Sequence, residues 1–283
     1  MVKKSEQQEI VLEIQELKTG EVRMHFLGST PMIQHRFPFK AWQELLLPSK
    51  QKNRAELEGT LKHNPIHEFR ESLYRNRDQK SAAMFHVPNR QFHRAIAGAA
   101  IDIAGAKKAV IERLTQVIDI NIELFGVPQF FMAMVRNSGF NATPDVRTRP
   151  IFPEWACAIT LRFMRPNLTE RIMGRLAGAG GKIRGIGDWR PETGGPYGTW
   201  DIVSPDNADY KRIVSKQGRT AQQKAWDNPV AFDVDTEELF AWYQEEIHRR
   251  ELVEQTEIIK PKKKLRTIIE DGDGEDASFV GVE

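Results

Sequence analysis

One stretch of the sequence, residues 174–203, combines residue types that bind phosphates and aromatic bases. Its cations and aromatic residues are Lys182, Arg184, Arg190, Trp189, Tyr197 and Trp200. Nine of the 20 glycines lie between residues 174 and 198. Glycine permits sharp bends and close backbone approach, cations beside exposed amides suit a phosphate, and aromatic rings suit a stacked base. The pattern predicts a loop that contacts nucleic acid, with a structural turn packed on a sheet as the alternative.

The spacing within this loop argues against a bound nucleotide cofactor. Leu176 occupies the first glycine position of a GxxxxGK phosphate loop, and Ile183 follows the lysine where Ser or Thr would bind Mg²⁺. The predicted helix precedes the glycines, whereas in a dinucleotide-binding fingerprint the helix follows them. No cofactor is therefore expected. The glycines expected to let a nucleic-acid strand approach the backbone are Gly180, Gly181, Gly185 and Gly187.

Two further pairs of arginines are candidates for phosphate binding. Arg147 and Arg149 flank Thr148, so on an extended segment they share one face. They can clamp a phosphate, or form salt bridges with Asp145, Asp188 or Glu192. Arg90 and Arg94 have i, i+4 spacing on a predicted alanine-rich helix. This stripe can follow a phosphate backbone or can be an ordinary solvated helix face.

Charge is distributed unevenly along the chain although the formal net charge is only +2. From residue 136 to 200, ten Lys and Arg stand against five Asp and Glu, a local +5; from 267 to 283 there are six acids and no base, a local −6. Such separation indicates a basic working surface and an acidic tail. Residues 260–266 (KPKKKLR) form a basic run directly before that tail.

The histidines do not assemble an obvious site. His63 and His67 have i, i+4 spacing, but Pro65 between them argues against a continuous helix, and no metal site is expected. Three other histidines could act as a general base in an RNA-cleaving protein: His35, His86 and His93. No nucleophile paired with a base is recognisable, so binding is favoured over catalysis.

Composition indicates a soluble protein. The chain of 283 residues is 40% hydrophobic and 28% charged, values typical of globular domains. Cys157 is the single cysteine, so no intrachain disulfide can form and a reducing compartment is expected. No apolar run reaches the roughly 20 residues needed to span a bilayer, and no apolar segment follows the first lysines as in a secretion signal. The expected location is the cytoplasm, without a membrane partner.

The order of predicted elements is that of a split βαβ fold. The predicted elements are a strand over 22–28, a helix over 90–104, strands over 119–135 and 156–164, a helix over 168–179 and a strand over 197–203. This order predicts an α+β, ferredoxin-like domain with four antiparallel strands and helices on one face of the sheet.

Four segments make up the predicted domain organisation. Residues 1–18 are expected to be a flexible arm, and residues 19–204 the ferredoxin-like domain, with an inserted lobe at about 32–82. Residues 205–256 are expected to be a C-terminal helical extension. Residues 257–283 are polar and are expected to be a disordered tail, first basic and then acidic.

Three stretches resemble an uncharacterised family of phage and prophage proteins. They are GSTPMIQHRF (28–37), PDVRTRPIFPEWACAITLRF (144–163) and AGGKIRGIGDWRPETGGPYGTWDIV (179–203). The second stretch matches the family pattern RTRP.F..W, and the third resembles the pattern AG..GIGD.RP..GG.YG.F. Met32-Ile33-Gln34-His35 departs from the more apolar LLMH of the family. If the chain is phage-encoded, the resemblance implies a location in the host cytoplasm.

A more remote resemblance is to the repeat-associated mysterious protein (RAMP) superfamily, which includes the subunits that coat guide RNA in CRISPR complexes. VPNRQFHRAIAGAA (87–100) is similar to the start of its first helix, and 178–198 to its glycine-rich loop. Asn89-Arg90-Gln91 replaces the small residues found there in the superfamily. The resemblance implies RNA binding and copies aligned along one strand.

These observations favour a protein that binds single-stranded DNA or RNA without clear sequence preference. Lys and Arg would neutralise phosphates while Trp189 and Tyr197 stack on bases. The acidic tail, with Phe279 near its end, is expected to contact replication or recombination proteins, unless it is only a solvated end. The alternatives are a metal-independent endoribonuclease of the RAMP superfamily and a protein–protein adaptor that mimics a CRISPR subunit.

Overall fold

The computed structural model describes residues 18–46, 63–103, 105–136 and 143–250. The strands are β1 (Lys18–Gly28), β2 (Met32–Ile33), β3 (Phe85–Pro88), β4 (Thr115–Val117), β5 (Asn121–Leu124), β6 (Gln129–Arg136), β7 (Pro144–Phe152), β8 (Ala156–Arg165) and β9 (Trp200–Val203). The helices are α1 (Phe39–Leu46), α2 (Pro65–Glu71), α3 (Asn89–Gly98), α4 (Lys108–Leu114), α5 (Glu170–Ala179), α6 (Ala208–Lys216), α7 (Arg219–Asp227) and α8 (Val234–Arg249). The expected mixed α+β class is confirmed.

The largest sheet has four strands in the order β4-β8-β1-β9. Its neighbouring strands are all antiparallel, and β1 pairs with β8 along its whole length, from Lys18 opposite Arg165 to Leu27 opposite Ala156. Helix α3 lies between β1 and β4 in the chain, and α5 lies between β8 and β9.

Alternation along β1 builds the core on both faces of this sheet. Phe26 is fully buried, and its ring lies 5.5 Å from Phe92 of α3 and 5.4 Å from Trp200 of β9. The next side chain, His25, contacts Tyr210 of α6 edge to face at 5.2 Å. Because neighbouring residues of a strand point to opposite faces, α3 and α6 cover opposite sides of the sheet.

Two smaller sheets flank the first. One has the order β2-β7-β6 and the other pairs β3 with β5. Residues 119–135, expected to supply a strand of the four-stranded sheet, instead form β5 and β6, which are separated by Gly126, with a φ of +144°, and belong to the two smaller sheets. The edge strand of the main sheet is instead β4, directly after α4.

Several predicted segments lie partly or wholly outside the described residues: the arm up to residue 17, residues 47–62 of the predicted lobe, and the tail after 250. Lys18 already belongs to β1. Within the described part of that lobe, Phe69 and Leu73 are fully buried and join the main core cluster. In the C-terminal region, the Phe240 ring of α8 packs 5.1 Å from Phe130 of β6.

Candidate nucleic-acid interface

The glycine-rich loop is held in place by backbone hydrogen bonds. After α5 the chain makes a single π turn, Gly180–Arg184, which is closed by the Gly185 amide donating to the Gly180 carbonyl at 2.9 Å. The Asp188 amide then donates to Ile33 at 2.8 Å, and the Gly198 amide donates to Pro31 at 2.7 Å. The loop is thereby docked on the segment that follows β1.

The glycines have a different role from the one expected. Gly180 and Gly181 are buried; a Cβ on Gly180 would lie 3.0 Å from the Ala95 carbonyl oxygen, and one on Gly181 would clash with the Trp200 carbonyl. Gly185 is buried against Pro191 with a φ of +66°, and a Cβ on Gly187 would clash with the Ile33 carbonyl. These glycines let the chain approach itself, and two of them, Gly185 and Gly187, also line the pocket described below.

Most cations of the loop are paired with acids. Arg190 forms an ion pair with Glu192 at 2.6 Å, and Arg184 reaches the same carboxylate at 3.5 Å. Burial opposes ionisation of Glu192, yet the hydrogen bond from Arg190 and the nearby arginine charges hold its pKa below the usual value. Exposed Lys182 lies 3.7 Å from Asp201, away from the other loop cations. Each of the three loop cations therefore lies beside a carboxylate.

A pocket between the loop and α3 nevertheless gathers three of the expected arginines: Arg90, Arg94 and Arg190. This arginine pocket has a volume of about 240 Å³ and is also lined by Gln91, His35 and Gly187. Arg90 and Arg94 are exposed, and neither forms a hydrogen bond or ion pair with any residue that the structure describes. Two carboxylates, Asp188 and Glu192, also line the pocket, which leaves one positive charge in excess.

The pocket exists because α3 separates its apolar and cationic faces. Phe92, Ala95 and Ile96 are buried, whereas Arg90 and Arg94 lie on the opposite side. Gln91 fixes the loop against this helix, because its side-chain oxygen accepts from the Gly187 amide at 3.1 Å. Gln91 was not among the candidates from the sequence, and its position between the two arginines is the only sequence signal for it.

A second pocket, of about 420 Å³, lies beyond Asp188. This aromatic pocket is lined by Phe131, Met134, Arg136, Arg147, Arg149 and Trp189, with Asp188 shared between the two pockets. Phe131, Met134 and Arg136 belong to β6. The sequence indicated no site there, because apolar residues occupy both faces of that segment.

Trp189 is held at the surface in an unusual conformation. It is 47% exposed, and its φ of 52° lies in the left-handed region, which bulky residues rarely adopt. Gly195 packs so closely on the Trp189 carbonyl that no side chain fits there. The Tyr197 ring lies 5.7 Å from the indole, and Phe131 lies 6.5 Å from Tyr197. Backbone strain is commonly retained where it positions a functional side chain.

Arg147 and Arg149 form salt bridges, one of the two alternatives for this pair. Arg147 lies 2.9 Å from the buried carboxylate of Asp145, and Arg149 pairs with Asp188. Both guanidinium groups still line the aromatic pocket. Desolvation, followed by the charges of Arg149 and Arg147, lowers the pKa of His35 to about 4, so this imidazole is neutral at pH 7.

Three further histidines, His93, His86 and His63, have structural partners or are buried. His93 Nε2 lies 3.0 Å from the Thr115 carbonyl oxygen, and His86 is buried. His63 lies between two carboxylates that sequence spacing did not reveal, 2.6 Å from Glu68 and 2.9 Å from Asp145. Among the residues described, no group of three or more His, Cys, Asp and Glu could hold a metal ion.

The helices of the described ranges are all too short or too polar to cross a membrane. Compared with protein-family models and with curated proteins, the chain has no significant match. The functional argument therefore depends on the geometry of the two pockets.

Proposed function

We propose that this protein binds single-stranded nucleic acid along the surface formed by the arginine pocket and the aromatic pocket. The observation that carries the proposal is the convergence of Arg90, Arg94 and Arg190 from two distant segments of the chain. Arginine is well suited to phosphate because its planar donors match the phosphate oxygens. The two helix arginines are available for such contacts, since no described acid is paired with them.

The aromatic pocket supports a single strand over a duplex. Trp189 offers an exposed indole beside Arg147 and Arg149, and Tyr197 packs next to it. Bases stack on such rings only when their faces are free, which is the situation in an unpaired strand. Phosphates in one pocket and bases in the other give a binding surface without base-edge readout, which fits the expected lack of sequence preference.

We further propose that the domain is ferredoxin-like and belongs to the phage family described above, with a remote relation to the RAMP superfamily. The strand order β4-β8-β1-β9, with α3 and α5 as the two connecting helices, supports this proposal. In this scheme the arginine pocket lies between the first helix and the loop that follows the second. The experiment below also measures whether the protein prefers DNA or RNA.

The proposal is tested by fluorescence anisotropy with labelled single-stranded DNA, single-stranded RNA and duplex DNA at several salt concentrations. Removing two phosphate contacts in Arg90→Ala/Arg94→Ala should weaken single-strand binding about 25-fold at 0.1 M salt and reduce the slope of log affinity against log salt by about 1.4. The control is Arg171→Ala/Arg175→Ala, which removes two exposed arginines of the same spacing from α5. Equal losses in both variants, or no binding by the wild type in dilute buffer, would refute the proposal.

One observation favours metal-independent RNA cleavage as a second candidate. His35 lines the arginine pocket, where it would lie next to a bound phosphate; its neutral imidazole can accept a proton, as a weak base because its pKa is lowered to about 4. Cleavage of labelled RNA in the presence of EDTA, lost in His35→Ala while binding persists, is the expected result for an endoribonuclease. Intact RNA after prolonged incubation leaves binding as the function.

A further inference from the structure

A third pocket lies on the other side of Tyr74 from the arginine pocket. It has a volume of about 1240 Å³, and its charged lining residues are Arg36, Arg75, Arg77, Arg219, Asp78 and Glu123. Four arginines against two carboxylates give this Tyr74 pocket an excess of two positive charges. Neither the loop nor the two pockets described above contribute these residues.

Some of these charges are already engaged and others are available. Arg219 donates to the carbonyls of Ser81 and Asp78, both at 2.6 Å, and the Arg75 guanidinium lies 4.5 Å from the centre of the Trp226 ring. The side chains of Arg36 and Arg77 bond to no residue in the described ranges. These two arginines are therefore the available anion-binding groups of the pocket.

An uncharged polar group adds to the lining of the Tyr74 pocket. His86 is 9% exposed, and its Nδ1 atom has no hydrogen-bond partner among the described residues, although its backbone carbonyl accepts from Gln34 at 2.9 Å. Burial and the charge of Arg36 lower the pKa of His86 to about 4, so the ring is neutral. The uncharged imidazole thus adds a side chain capable of hydrogen bonding to a lining that has an excess of arginines.

The Tyr74 pocket adjoins the arginine pocket through Tyr74. The Tyr74 hydroxyl lies 3.5 Å from the carbonyl oxygen of His35, which lines the arginine pocket. Burial raises the pKa of this hydroxyl, while the charges of Arg36, which lines the Tyr74 pocket, and of Arg90, which lines the arginine pocket, oppose the shift. A strand whose phosphates lie on Arg90 can thus continue towards Arg36.

We propose that the Tyr74 pocket holds one nucleotide unit, with its phosphate on Arg36 and Arg77 and its base hydrogen-bonded to the His86 imidazole. A nucleotide combines the anion and the neutral hydrogen-bonding group that this lining requires. The inference rests on the proposed function, because the nucleotide is taken to be part of the bound strand. At this one position the base is then read, in contrast to the stacking surface around Trp189.

The test compares binding of labelled dA, dC and dT 12-mers and of free AMP, CMP, GMP and UMP as competitors. The wild type should prefer one base about 3–10-fold, the value of one hydrogen bond. His86→Phe keeps a ring but removes the nitrogen, and should abolish that preference. Arg36→Ala/Arg77→Ala should weaken binding of every oligonucleotide and keep the preference, whereas Arg171→Ala/Arg175→Ala should change neither.

The outcomes separate the two proposals. Oligonucleotide binding with no base preference, or with a preference unchanged in His86→Phe, overturns the Tyr74 pocket alone. Binding of a free mononucleotide without any oligonucleotide binding overturns the proposed function and makes the pocket a mononucleotide site. If thermal unfolding shows that His86→Phe does not fold, the surface variant Arg36→Ala/Arg77→Ala decides: unchanged affinity overturns the pocket.

Discussion

The glycine-rich loop and helix α3 each contribute two arginines that the sequence suggests for phosphate binding. In the structure the loop arginines have an acidic partner, whereas the helix arginines have none among the described residues. Arg184 and Arg190 of the loop both reach Glu192, two to eight residues further along. Arg90 and Arg94 of α3 pair with no described acid, although the charge of Arg94 contributes to the lowered pKa of Glu192. The residue types are the same, so what differs is the local supply of carboxylates. A binding surface therefore differs from an internally neutralised loop in how many of its cations lack an acidic partner, more than in the total number of its cations.

The largest effect is expected when the loop itself is displaced. Gly181→Ala should lower the free energy of unfolding by about 3 kcal/mol, because the added methyl group overlaps the Trp200 backbone. Urea unfolding measures this loss. Gly174→Ala is the matched control, since no atom lies within 4 Å of its Cβ. If both variants have the stability of the wild type, the loop is not anchored as described.

The aromatic contribution of the loop is the next largest. Trp189→Ala should weaken single-strand binding about 30-fold by removing one stacked base, with little change in the slope against salt. Trp242→Ala is the control, because this tryptophan is also exposed, at 57%, but belongs to α8. A loss of salt dependence in Trp189→Ala would mean that the indole orders the arginines and does not stack on a base.

Glu192→Gln sharpens the comparison by releasing the loop arginines. One more available positive charge should tighten single-strand binding about fivefold at 0.1 M salt. The variant should also make the slope against salt steeper, in the opposite direction to Arg90→Ala/Arg94→Ala. Thermal unfolding serves as the control for loop integrity. Weaker binding by a fully folded Glu192→Gln protein would contradict the view that this carboxylate competes with phosphate.

The smallest effect is expected at His63, which contacts Asp145 of strand β7. Both arginines of that strand are also paired with acids. His63 lies between Glu68 and Asp145, and its hydrogen bond to Glu68, in spite of burial, raises its pKa above 6.5. Its contribution is complete below the unfolded pKa and is lost as pH rises through the higher folded value. The difference in unfolding free energy between wild type and His63→Gln should therefore be about 1 kcal/mol at pH 6 and shrink by pH 9. A difference that grows with pH would contradict this assignment.

Sequence periodicity located the parts of the fold that depend on local pattern. Strand β1 alternates cleanly around Met24 and Phe26, and α5 was expected within two residues of its ends, whereas α3 ends at Gly98, six residues before the expected end at 104. Strand β4 was missed because its three residues directly follow a helix. Strand β7 was missed because Pro144, Pro150 and two arginines conceal its pattern, although it lies at the centre of its sheet.

The residue types of the candidate site could be predicted from the sequence, but the pairing of its charged groups could not. The sequence indicated Arg90, Arg94, Arg190 and Trp189 as candidates, and the structure brings them to neighbouring pockets. Which arginine meets a carboxylate depends on contacts between distant segments, as with Arg149 and Asp188. No spacing rule reports such contacts, and the same holds for His63 with Asp145.

The backbone hydrogen bonds from Asp188 to Ile33 and from Gly198 to Pro31 join two parts of the chain that are far apart in sequence. Neither part can open without releasing the other, so their amide hydrogens should exchange with deuterium in one common event. A ligand held by Trp189 would then slow exchange in the segment after β1 as well. The loop and the segment after β1 should therefore open together, and a ligand bound to one of them should slow amide exchange in both.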